Sequence, residues 1–209
     1  MRYLQKLSIF TAAAIVLLLA SACSKTEVTG LWKKSDYTGG SLDSFMVVAL
    51  TGEMSDKLLW ENIMADRLRQ EGLKAVTSVG AFPNARDIDE QQIMNYVDRN
   101  EIDGVLVTRL VDTRKEKVYH PPRGAYYGGA YGYYRRFNFY YPHAYEQVYS
   151  PGYTSTLTIV LLETNLYRVD TKELIWSMST DTFEPRSFNQ LVDSVSDKVV
   201  ELLHRENLI

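Results

Sequence analysis

His120, His143 and Glu146 are the residues of this chain that come closest to a metal-ligand set, since imidazole nitrogens and a carboxylate one helical turn apart are what zinc takes. The segment that carries them has no apolar stripe to hold a helix, and solvated loop residues explain them equally well. Asp103 and Asp112 bracket an apolar run, and the carboxyl ends of parallel strands are where α/β folds place ligands. Turn residues at strand ends are the simpler account of that pair. Gly128-Gly129-Ala130-Tyr131-Gly132 has the glycines of a phosphate-cradling loop but lacks the strand before and the helix after that would aim its amides. A nucleophile elbow and a paired-histidine zinc helix are both missing. His204 falls near the end of the last helical pattern, where a cation suits the helix dipole, and needs no catalytic role. The sequence therefore predicts no catalytic residue, no metal and no cofactor. A hydrolase of unknown substrate working near Asp103 and Asp112 is the catalytic alternative.

The elements around these residues belong to one ordinary globular domain: 209 residues, Lys+Arg 23 against Asp+Glu 26, 45% hydrophobic and 23% charged. The net charge of -3 argues against nucleic acid, whose phosphates need Lys and Arg. One cysteine can form no internal disulfide and cannot furnish a sulfur cage for structural zinc.

That cysteine has a specific place. Arg2 and Lys6 precede an apolar run of 14 residues from Leu7 to Ala20, followed by Ala20-Ser21-Ala22-Cys23. A helix of that length covers about 21 Å of a hydrocarbon core roughly 30 Å thick, so residues 1–22 read as a signal peptide and not as a span. The small residues before Cys23 resemble the lipobox of bacterial lipoproteins, with Ala20 where Leu, Val or Ile is commonest. The resemblance implies a diacylglycerol on Cys23, cleavage before it and acylation, palmitate for example, of the new amino terminus. An ordinary secretory signal that leaves a free thiol is the alternative. Several acyl chains anchor firmly, at about 0.8 kcal/mol per buried methylene. Ser24 stands where Asp resembles an inner-membrane retention signal in enterobacterial lipoproteins, which implies the outer membrane, facing the periplasm. Losing Arg2 and Lys6 moves the formal charge from -3 to -5.

Residues 23–44 read as a lipidated tether of Ser, Thr, Gly, Lys and Asp that would hold the domain roughly 25 Å from the lipid, less if Trp32 and Tyr37 pack on it. Residues 45–209 read as a single α/β domain. Phe45–Leu50 is a continuous apolar run, the mark of a strand covered on both faces. A helix capped by Ser55 follows, with Leu59, Trp60, Ile63, Met64 and Leu68 on one face until Gly72. Leu73–Val79 is a second strand. Asp87 with Glu90 opens another helix, and Gly104–Thr108 is a third strand, so two crossovers and a parallel core are expected. Residues 156–169 and 173–182 alternate as an antiparallel hairpin turning at Asp170-Thr171-Lys172. Ser187 with Gln190 opens a closing helix carrying Phe188, Leu191, Val192, Val195, Val199, Leu202 and Leu203. The expected sum is βαβαβ, a hairpin and a closing C-terminal helix, on a mixed sheet of about five strands.

Residues 119–153 fit neither period. They hold 11 of the chain's 15 Tyr, interleaved with Gly, and Arg123, Arg135 and Arg136 against Glu146 give a local charge of +2. Tyr and Arg suit binding surfaces, because Tyr offers amphipathic area with few rotors and Arg both stacks and hydrogen-bonds. Tyr126, Tyr127, Tyr131, Tyr133, Tyr134, Arg135 and Arg136 are the candidate partner-binding residues. An envelope protein, a glycan, anionic headgroups or a second copy of the chain are the candidate partners. A low-complexity insertion with no partner is the bland alternative.

Trp32-Lys33, Asp103-Gly104-Val105-Leu106-Val107-Thr108-Arg109-Leu110, the Tyr/Gly insertion, Thr164-Asn165-Leu166-Tyr167 and Leu174-Ile175-Trp176-Ser177 together resemble a group of uncharacterised proteobacterial lipoproteins. The layout is also similar to small α/β domains of envelope proteins such as the amino-terminal domain of TolB and the curli secretion lipoprotein CsgG. The resemblance implies a lipid-anchored cell-envelope protein, with a binding or assembly module as its role and a self-assembling structural subunit as the alternative. Changing Cys23 to Ala with the signal kept should move the protein out of the membrane pellet and abolish labelling by radioactive palmitate. Unchanged partition without label in the parent protein would end the anchor reading.

Overall fold

A computed structural model of the chain describes residues 25–83, 88–120, 136–149 and 152–209. The elements are β1 (Lys25–Lys33), β2 (Ser44–Leu50), α1 (Met54–Gln70), β3 (Lys74–Thr77), α2 (Ser78–Ala81), α3 (Glu90–Arg99), β4 (Gly104–His120), α4 (Phe137–Tyr149), β5 (Tyr153–Arg168), β6 (Leu174–Phe183) and α5 (Phe188–Arg205). The chain divides into two compact units, one made of residues up to Arg114 together with Ile159–Ile209, the other of Lys115–Thr158. Strands β4 and β5 each contribute to both.

In the first unit the strands form one mixed sheet of order β1-β6-β5-β4-β2-β3. β2 pairs parallel with β3 on one side and with β4 on the other, so the apolar run lies at the centre of the parallel part. Its side chains split by the two-residue period of a strand. Phe45, Val47 and Ala49 pack with Trp60, Met64 and Leu68 of α1 and with Val192, Val195 and Val199 of α5. Met46 and Val48 face the other way, toward Val97, Ile93 and Met94 of α3. Burying a side chain of this size contributes about 1.5–3 kcal/mol, so the two-sided cover of one short strand is a large share of the stability.

The antiparallel part is covered on one face. Trp176, Met178, Thr180 and Thr182 of β6 are buried, whereas Ser177, Ser179 and Asp181 between them are only half-buried. That alternation is what the hairpin pattern predicts, and the turn lies at Val169–Glu173, with Lys172 at φ 58°. Gly72 ends α1 at φ 85°, a left-handed conformation that costs a glycine little.

Several boundaries differ from the sequence reading: β3 stops at Thr77, before α2, and not at Val79, and β4 runs to His120 and not to Thr108. Residues 25–33 are an edge strand and not a tether, pairing antiparallel with β6 from Lys25↔Phe183 to Lys33↔Trp176, and this makes six strands where about five were expected. The segment is polar because an edge strand is half solvated, and Lys25 and Glu27 are exposed charges on it, whereas Lys33 donates to the Glu206 carbonyl. Its inward groups are satisfied individually: Thr26 Oγ1 lies 2.9 Å from Thr182 Oγ1 and 2.8 Å from Ser194 Oγ of α5. The capping box of α3 falls two residues later than expected: the Asp89 carboxylate accepts from the Gln92 N–H (2.7 Å), and Gln92 Oε1 accepts from the Asp89 N–H (3.1 Å). α1 starts at Met54 with no side-chain cap, ahead of Ser55. Ser187 caps α5 as the sequence predicts, accepting from the Gln190 N–H at 3.2 Å.

Glu61 is the charge-bearing residue that sequence reasoning missed. It sits on the buried face of α1, wholly covered, where its Oε1 accepts from the Ala49 N–H (3.0 Å) and the Ser78 hydroxyl (2.6 Å), and its Oε2 from the Val79 N–H (2.9 Å). One side chain thus ties the ends of β2 and β3 to α1. Glu61→Ala should lower the unfolding free energy in urea by about 3 kcal/mol, because it strands three buried donors whose desolvation costs about 1–3 kcal/mol each before relaxation. Glu61→Gln should cost less, since its amide oxygen still accepts.

Candidate functional site

The aspartates proposed for catalysis serve different ends. Asp103 precedes β4 at the amino-terminal end of the parallel strands, where its Oδ2 accepts from the Asp43 N–H (3.1 Å) and the Ser44 N–H (3.0 Å) and lies 2.7 Å from Ser44 Oγ. It is a clamp between the starts of β2 and β4. Asp112 is an exposed residue within β4 whose Oδ1 accepts from the Thr113 N–H at 2.7 Å. Nine residues of strand separate them, about 30 Å at the extended rise, so they cannot act on one substrate atom. The hydrolase alternative loses the geometry it needs.

Two of the histidines have neighbours within their own unit. In the second unit His120 stacks on Tyr153 with ring centroids 4.6 Å apart and places Nε2 2.8 Å from Ser155 Oγ. His204, in the last turn of α5, pairs with Glu71 at 2.9 Å. The side chains of His143 and Glu146 lie outside the described residues. Among the described residues no three His, Cys, Asp or Glu side chains are grouped to hold a metal ion.

Beside the carboxyl end of β2 and the middle of β4 the first unit has a cleft of about 260 Å³ lined by Leu50, Trp60, Leu110, Val160, Phe188 and Leu191 among others. Trp60 and Phe188 meet there with centroids 6.3 Å apart. The Trp60 indole N–H is buried and finds no acceptor among the described residues. Arg109 on the rim is engaged by Glu163 at 2.8 Å. The Asn165 amide, first, and then Arg109 hold the Glu163 carboxyl below the usual carboxylate range. Such a cleft, whose lining also includes Asp56, Thr51 and Thr113, can receive an apolar group.

The second unit holds an exposed aromatic row. Phe137, Tyr141, Tyr145 and Tyr149 follow one another at four-residue spacing on α4, with successive ring centroids 5.1, 5.9 and 4.2 Å apart. Their exposures are 74%, 51%, 51% and 68%, unusual for residues of this size. Arg136, exposed, stands immediately before the helix, and its carbonyl accepts from the Tyr140 N–H at 3.1 Å. Of the sequence-predicted binding residues only Arg136 is described; Tyr126, Tyr127, Tyr131, Tyr133, Tyr134 and Arg135 lie outside the described residues, as does Cys23. The helix itself was not expected. Its Phe and Tyr positions recur every four residues, but Pro142 inside it and the Tyr/Gly run before it obscured the period.

The fold so described is a mixed α/β domain, and no helix among the described residues is long and apolar enough to cross a membrane. No family model matches the chain, and no curated protein matches it. Solved structures similar to it include PelC dodecamers from Paraburkholderia phytofirmans in two crystal forms. One, of a point variant, shows 16% identity over 82% of this chain and 96% of that one at a TM-score of 0.43. The other shows 12% identity over 85% and 95% at 0.44. Lipoprotein GNA1162 from Neisseria meningitidis is similar at 14% identity, over 78% of this chain and 98% of that one, at a TM-score of 0.40.

Asp103→Ala should lower the melting temperature by several degrees, since a clamp accepting several hydrogen bonds contributes about 1–3 kcal/mol. Asp112→Ala should leave the melting temperature and any cellular phenotype unchanged. A phenotype lost in Asp112→Ala at normal abundance would revive the catalytic alternative.

Proposed function

We propose that this chain is a lipid-anchored protein of the bacterial cell envelope, held through Cys23, that works as a non-enzymatic binding or assembly module through its Tyr/Arg-rich insertion. The observation that carries the reading is the exposed row Phe137, Tyr141, Tyr145 and Tyr149 with Arg136 at its head. Large aromatic faces in water are what a recognition surface looks like before its partner covers it. The separation of Asp103 from Asp112 along β4 supports the non-enzymatic half. The outer membrane, facing the periplasm, is the address this reading takes from Ser24 after the anchor.

The insertion can be tested without unfolding the domain. The core clusters are all in the first unit, so replacing residues 119–153 by a short turn should leave the urea midpoint of the domain nearly unchanged. Photocrosslinkers at Arg136, Tyr127 and Tyr134 in intact cells should capture a ligand or neighbour that the shortened chain fails to recover. Recovery of the same co-purified partners by the shortened chain would place recognition elsewhere and leave the insertion a tolerated one. Capture of the chain by itself would favour the structural-subunit alternative.

A further inference from the structure

The register of the sheet brings the proposed anchor and the root of the insertion to one end of the first unit. Ile159, where the chain re-enters this unit, pairs with Phe183 of β6, and Phe183 pairs with Lys25, the first residue of β1. β1 and β5 flank β6, so Lys25 and Ile159 lie about 10 Å apart, two strand spacings of roughly 4.8 Å. Cys23 is two residues upstream of Lys25, and two residues reach at most about 7 Å. With no tether between anchor and sheet, a lipid on Cys23 would hold the bilayer surface within about 20 Å of the point where the insertion leaves the sheet.

The chemistry of α4 matches that surroundings. Phe137 is fully apolar, whereas Tyr141, Tyr145 and Tyr149 each combine an apolar ring with a hydroxyl that needs water. That combination is ill served by bulk water and by the hydrocarbon core, and well served by the boundary between headgroups and acyl chains. A helix of 13 residues is about 20 Å long, too short to span a core of roughly 30 Å but long enough to lie along its surface. The insertion carries +2 on a mature chain of -5, so it is the part that anionic headgroups attract, while the rest of the chain is repelled. We propose that the row Phe137, Tyr141, Tyr145 and Tyr149 lies in the headgroup region of the same bilayer that holds Cys23. A phospholipid surface, and not a protein or a glycan, is then the partner of α4. The inference rests on the lipid anchor and the insertion surface proposed above.

The lipidated full chain is purified, its Cys23 blocked by the thioether, and single cysteines replacing Tyr141, Tyr145 or the hairpin residue Thr171 are labelled with an environment-sensitive fluorophore. Each is reconstituted in phosphatidylethanolamine/phosphatidylglycerol vesicles containing lipid brominated near the carbonyl region. Thr171 is the control because the β5–β6 turn lies at the opposite end of those strands from Lys25. Labels at 141 and 145 should be quenched about threefold more than the label at 171, as expected for an interfacial helix beside a solvated turn. Equal quenching at all three sites in a chain that takes up palmitate would overturn the inference and leave the anchor standing. Absence of palmitate and of vesicle co-sedimentation would instead remove the anchor, and the inference with it.

Discussion

The structure depends on burying Ser44–Ala49 of β2 on both faces. A strand whose Phe45, Val47 and Ala49 point one way and Met46 and Val48 the other needs a helix layer on each side, and the chain supplies α1 and α5 on one face and α3 on the other. The parallel partners β3 and β4 follow from the same demand, because they complete the backbone hydrogen bonds of a strand that no water can reach. Glu61 tightens this arrangement. It spends its carboxylate oxygens on two amides and a hydroxyl at the ends of β2 and β3, so its charge is occupied by the fold.

The same economy governs the other ionic groups of the first unit. Asp103 closes the start of β4 onto β2, Arg109 meets Glu163, and His204 meets Glu71. Asp103 lies at the amino-terminal ends of the parallel strands, Arg109 beside the cleft and His204 in the last turn of α5, and each already has a structural partner. Among the described residues the first unit leaves an apolar cleft beside Trp60, whose indole N–H has no acceptor there, and the second leaves a row of aromatic rings in water. Recognition fits such leftovers better than proton transfer does, since apolar faces gain from being covered and have no protons to move.

Edge strand β1 changes the meaning of the amino-terminal segment. Read as a tether, it would let the domain move freely above a membrane; paired to β6, it fixes the exit point of the chain to within two residues of Cys23. In the proposed reading, that pairing would decide which end of the sheet a lipid on Cys23 draws toward the bilayer.

The sequence by itself determined the elements whose signal is local and periodic. The apolar run of β2, the stripes of α1 and α5, the Ser187 cap, the Gly72 stop and the alternating hairpin are all legible because burial on one face or two imposes a period of 3.6 or 2.0 on neighbouring residues. The expectation of a signal peptide before Cys23 rests instead on an apolar run, and it lies outside the described residues. What only tertiary structure decided has no such period. Residues 25–33 become a strand because β6 offers an unpaired edge, a partner about 150 residues away that no window of sequence contains. Glu61 reads as one more polar helix residue until β2 and β3 bring their amides to it. The row on α4 is local in spacing, but Pro142 and the surrounding Tyr hid it, and its exposure could not be read from residue type, since Phe and Tyr are buried more often than not. Local burial writes itself into sequence; pairing between distant segments does not.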